Sequence, residues 1–261
     1  MNLDALLAPL LAGTGLDAPV VLLLCGVSYM GSFITASMGI GGGALVLATM
    51  ALFLPPPVLI PLHGFVQLGS NMGRVALMAR HVVLSIVPAF LLGTVIGALI
   101  GGNLVIALPL PVLQFALALF ILYSTWAPKI GASNPGKKTF FSIGLIGTIG
   151  TMFFGATGPL MAPFIAAACG KRQNVVATHA TLMAIQHGFK VITFGVLGFA
   201  FVTYLPLLVA LLVFGFAGTW TGKHVLHRLP EKVFRTGLKI LLTLISLRLL
   251  YGATSAYFAP G

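Results

Sequence analysis

His63, Gln67, Ser70, Asn71 and Arg74 fall at i, i+4, i+7, i+8 and i+11, one stripe of an α-helix whose other faces are apolar. His179, Gln186, His187 and Lys190 repeat the stripe at i, i+7, i+8 and i+11, with Met183 in the place of Gln67. Together the two stripes carry guanidinium, ammonium, imidazole, amide and hydroxyl donors, a set suited to a compact oxyanion that accepts several hydrogen bonds. Their histidines can also relay protons, or bond as neutral rings to backbone oxygen. Neither stripe holds a carboxylate. The only acidic residues are Asp4, Asp17 and Glu231, two near the N-terminus and one in an expected loop. Within a membrane, Arg74 and Lys190 therefore have no counter-ion from the chain. Either an anionic ligand partners them, or they lie near helix ends and snorkel to the interface.

A glycine-rich junction precedes each stripe: Met38-Gly39-Ile40-Gly41-Gly42-Gly43 before the first and Gly155-Ala156-Thr157-Gly158-Pro159 before the second. Each interior glycine costs a helix about 1 kcal/mol relative to alanine, so the spacing predicts a broken helix at each junction. The segment after the break would aim its first amides and the positive end of its dipole at a shared site. Gly41, Gly42, Gly43, Thr157 and Gly158 join the candidate ligands on this ground. The alternative is that these glycines only permit a turn or close helix packing.

The elements that must position these groups follow from composition. Apolar residues make up 59% of the chain and charged residues 7%, so lipid has to cover most of the surface. At about 20 apolar residues per crossing, the chain has room for roughly eight to ten membrane segments. The apolar runs are long and continuous, which favours a helical bundle over a barrel. Five runs lie at 18–38, 44–54, 58–79, 82–105 and 112–126, and five more at 140–154, 159–169, 175–199, 205–222 and 233–251. A polar link at 128–139 separates a first repeat, 1–127, from a second, 140–261. An offset of 116 places Gly39 on Gly155, Gly42 on Gly158, His63 on His179 and Arg74 on Lys190, so an internal duplication is expected. Gly93, Gly97 and Gly101, echoed by Gly218 and Gly222, form ladders of small residues for helix packing, either within the chain or against another copy.

Lys and Arg collect at Arg80, in the 128–139 link, at Lys171 and Arg172, and between Lys223 and Arg235, while the alternate loops lack them. Placing the basic set in the cytoplasm puts both termini outside. Each glycine-broken hairpin then begins and ends on one side and three further helices cross singly, so the halves run in opposite senses. The fold class expected is an all-α polytopic membrane protein of two inverted-topology repeats, each with a broken or re-entrant hairpin plus three spanning helices. Cys25 and Cys169 sit in apolar stretches without metal-binding or disulfide spacing and are expected to be buried thiols.

The Gly39–Gly43 junction, its degenerate copy at 155–159 and the polar helix after each resemble the sulfite exporter TauE/SafE family of bacterial membrane proteins, over nearly the whole chain. The second copy departs from the glycine pattern at Thr157 and Pro159. The resemblance implies a secondary transporter, an exporter of sulfite or an organosulfonate, in the bacterial inner membrane. A channel-like anion pathway is the nearer alternative. An intramembrane His-based enzyme is the more distant one, since it lacks the i, i+4 His pair and Glu such chemistry uses. The expected partners are a small anion and the lipid bilayer, with no nucleic acid, cofactor or metal, and homodimerisation left open.

Overall fold

The computed structural model describes residues 3–39, 41–105, 109–126, 134–224 and 231–258, and the regular elements among them are all helical. The first half comprises α1 (Leu3–Leu11), α2 (Ala18–Met38), α3 (Gly42–Met50), α4 (Pro56–Met78), α5 (Val87–Val105) and α6 (Leu110–Trp126). The second comprises α7 (Lys137–Phe154), α8 (Gly158–Cys169), α9 (Arg172–Val196), α10 (Leu205–His224) and α11 (Glu231–Phe258). Helix α1 lies in what the sequence reading took for a tail. Residues 128–133 of the expected link lie outside the described residues, and the link's last residues, from Lys137, already belong to α7.

Four segments are long and apolar enough to cross a membrane: Ala18–Met38, Leu84–Val105, Phe201–His224 and Thr236–Ser255, with shorter apolar helices at Leu110–Trp126 and Gly158–Cys169. Their outer faces carry large apolar side chains to the surface, including Leu92, Leu99, Val213 and Leu244, as a lipid-covered bundle requires. Cys25 and Cys169 are free and buried.

Each half contains one interruption. Helix α2 stops at Gly39, whose φ of 93° is left-handed, and α3 starts from Gly41 at φ 106°. Side chains rarely adopt such backbone, so glycine there is a conformational requirement. Helix α7 likewise stops at Gly155 with φ 79°, and α8 starts after Thr157. The nine residues of α3 reach about 14 Å, less than half of a hydrocarbon core.

The halves interlock. Helix α2 packs along α10, α7 along α5, α4 along α9 and α6 along α11, so each named pair joins one half to the other. The glycine ladders make two of these contacts. A β-carbon at Gly97 would stand 2.5 Å from the Leu145 carbonyl oxygen of α7, and one at Gly222 would stand 2.5 Å from the Phe33 carbonyl oxygen of α2. The partner of each ladder is therefore internal. Backbone approaches this close leave no space for a side chain. Gly97→Val should lower the thermal midpoint of the purified protein, through an overpacking cost of about 1–3 kcal/mol. Gly26→Ala, on α2 where an added β-carbon meets nothing within 4 Å, should leave the midpoint unchanged or raise it.

Candidate functional site

The two polar stripes occupy the facing sides of α4 and α9, which pack against each other at the centre of the bundle. Both cations are sealed there: Arg74 is 1% exposed and Lys190 0%. Neither snorkels. Their partners are neutral oxygens. The Arg74 guanidinium donates to Ser70 Oγ at 3.3 Å and to Asn71 Oδ1, while Asn71 Nδ2 donates to the Gln67 carbonyl at 2.6 Å. Ser70 Oγ also pairs with Ser32 Oγ of α2 at 2.7 Å. One turn of α4 thus orients the guanidinium, and its Nε is left buried without a partner.

Arg74 opens onto a cavity of about 30 Å³ bounded by the two helix breaks and the two stripes. From the first half come Thr35, Gly41, Gly43, Ala44, His63, Gln67, Asn71 and Arg74. The second half contributes Ala156, Gly158, Pro159, His179, Met183 and His187. No carboxylate lines it. A volume of this size admits a few water-sized groups, and the beginnings of α3 and α8 both border it, each presenting the positive end of a helix dipole. Pro159 has no N–H, so the second break offers fewer amide donors than the first.

Two of the three histidines bond to the breaks. His63 Nε2 donates to the Gly43 carbonyl at 3.0 Å, and His179 Nε2 to the Gly158 carbonyl at 3.3 Å, a bond of the same kind in each half. The His63 and His187 rings meet edge to face, with centroids 5.8 Å apart. Their Nδ1 atoms are buried and unpartnered.

Five sequence-predicted ligands stand behind the cavity wall. Gly42 is a packing residue, since a β-carbon there would run into the Gly31 backbone of α2. Ser70 orients Arg74. Thr157 Oγ1 donates to Gln186 Oε1 at 3.1 Å, and Gln186 Nε2 donates to Thr148 Oγ1 at 3.3 Å, which ties both residues to α7. Lys190 Nζ donates to the Gly155 carbonyl at 2.8 Å and to the Thr151 carbonyl at 3.4 Å. It therefore adds a charged donor at the end of α7, to carbonyls that also accept from Gly155 N–H and Thr151 Oγ1, as a cation at a helix C-terminus does. Gly64 makes room for this side chain, because a β-carbon there would stand 2.5 Å from Lys190 Cε. The corresponding end of α2 is capped differently: Arg172 Nη2 donates to the Ser37 carbonyl at 2.7 Å.

Sequence reasoning missed Thr35, Ala44, Ala156 and Met183 as lining residues. Thr35 had a signal, because Ser28, Ser32 and Thr35 stand at i, i+4 and i+7 on α2 and are all buried. Met183 had one as well, its place on the α9 stripe where α4 has Gln67, while Ala44 and Ala156 had none, since they reach the cavity only at the helix breaks. Among the described residues no group of three or more His, Cys, Asp or Glu could hold a metal ion. Comparison with curated proteins and with solved structures returned no match. The family model for the sulfite exporter TauE/SafE matches residues 22–249, from within α2 to within α11, and the chain belongs to that family.

Proposed function

We propose that this protein is a secondary transporter that exports a small sulfur-containing anion, such as sulfite or an organosulfonate, through the cavity between α4 and α9. One observation carries the reading: a fully buried guanidinium, fixed by Ser70 and Asn71 and with Nε unpartnered, borders a cavity that no carboxylate lines among the described residues. Such a charge is costly in an apolar phase unless something negative meets it. An oxyanion supplies both the charge and the acceptors. Membership of the sulfite exporter family supports sulfur as its centre.

Residues 1–127 and 140–261 are the two repeats in this reading, inverted with respect to each other and joined through a cytoplasmic link at 128–139. Helices α3 and α8 are re-entrant legs that bring their first turns to the anion. Both termini face outward from a bacterial inner membrane. Exposure of the cavity alternates between the two sides, as in other transporters built from inverted repeats. Nothing in the cavity resembles a nucleophile with its base, which supports transport over chemistry.

Arg74→Gln should weaken sulfite binding to the purified protein at least about tenfold, the loss expected for a charge-assisted hydrogen bond. Calorimetry would measure it, and unchanged affinity would reject the site. Lys190→Met should instead lower the thermal midpoint of the anion-free protein, by uncapping α7 at a cost of about 1–3 kcal/mol. An unaltered midpoint would remove the capping role. In proteoliposomes, sulfite flux should saturate and be stimulated by sulfite on the opposite side, whereas a non-saturating conductance would identify a channel.

A further inference from the structure

We propose that the anion enters the cavity together with one proton, which is taken up on Nδ1 of His63; this rests on reading the cavity as an anion site. His63 is fully buried. A carbonyl oxygen can only accept, so the 3.0 Å contact with the Gly43 oxygen fixes the hydrogen on Nε2. In the neutral ring, Nδ1 is then a lone pair; it makes no hydrogen bond among the described residues, although the Gly155 carbonyl lies close enough to act on the ring beside that of Gly43. A lone pair repels an oxyanion, whereas an N–H at the same place binds it. His187 differs in this respect: its Nδ1 is also buried and unpartnered, but no hydrogen bond among the described residues fixes its tautomer. It can offer an N–H to the anion while neutral. His179 donates to Gly158 as His63 does to Gly43, but only at His63 and His187 is Nδ1 both buried and unpartnered.

The surroundings make the two events depend on each other. From α9, His63 faces His187, Lys190 and His179, and from α4 itself Arg74. Helices α2, α3 and α8 contribute Thr35, glycines, Ala44 and Pro159 to the cavity, without an ionisable side chain. On α10, Lys223 is tied to the Leu77 carbonyl at the last turn of α4. A proton on His63 in the empty cavity would add a third positive charge beside Arg74 and Lys190, with no carboxylate to offset it. An anion in the cavity removes that repulsion. Its negative charge favours the proton, and by linkage the proton strengthens anion binding by the same factor.

Calorimetric titration of the purified full chain with sulfite tests this, at about pH 8, well above the ordinary histidine range, in two buffers of different ionisation enthalpy. The heat difference between the buffers counts the protons taken up. The expected result is about one proton per sulfite bound, with affinity falling about tenfold for each unit rise in pH. Binding without proton uptake would overturn the coupling and leave the anion site standing. No binding in any buffer would overturn the anion site, and this inference with it. His63→Gln keeps an N–H for the Gly43 carbonyl and should bind weakly, with no proton uptake and little pH dependence. Uptake that persists in this variant would place the proton on the anion or on another residue, against the proposal. His187→Gln should retain the uptake, and its loss there would also count against His63.

Discussion

The bundle is organised around buried positive charge that meets no carboxylate among the described residues. Arg74 and Lys190 are sealed inside a structure whose outer faces are apolar, and only neutral dipoles are at hand to meet them. A continuous helix meets such a charge mainly through its side chains, as α4 does with Ser70 and Asn71, because its carbonyls are already bonded along the axis. Breaking α2 and α7 releases carbonyls at the ends and amides at the following starts. The glycine junctions thus serve electrostatics as well as chain direction. Lys190 takes the carbonyls at the end of α7, and Arg74 faces the cavity where α3 and α8 begin.

Arg74 and Lys190 stand 116 residues apart at matching places on α4 and α9, but their surroundings assign them different work. Arg74 is held by side chains of its own helix, borders the cavity and keeps a buried, unpartnered Nε. Lys190 spends its donors on backbone beyond the wall. The second half has also exchanged glycine for Thr157 and Pro159 at its break, which ties one side chain to Gln186 and removes one amide donor. An asymmetric cavity follows from a nearly symmetric scaffold, with most of its polar lining contributed by the first half.

Much of this was legible in the residues. Hydropathy alone gave α2 its observed bounds, and the i, i+7, i+8 and i+11 spacing put His179, Gln186, His187 and Lys190 on the side of α9 that meets α4. Burial of both cations, against the alternative that they snorkel, came from the structure, whereas the shortage of carboxylates followed from the acidic count. Which ligands reach the cavity did not. Periodicity assigns a residue to a helix face about 100° wide, and one such face of α9 holds both His187, at the cavity, and Gln186, bonded to α7. That distinction depends on the neighbour across the groove, and Thr148 and Gly155 are far from α9 in sequence. Helix α1 was missed for a related reason: a nine-residue apolar stretch containing Pro9 has too little length for its pattern to stand out.

The pairing of α2 with α10 and of α7 with α5 has a consequence for how such a molecule moves. Ladders of glycine press backbone directly onto backbone in both pairs, and contacts that tight resist sliding, because no flexible side chain lies between them to absorb displacement. Each of these tight pairs joins a helix of the first half to one of the second. The backbone-on-backbone seams of α2 with α10 and of α5 with α7 thus run across the division between the two halves of the chain.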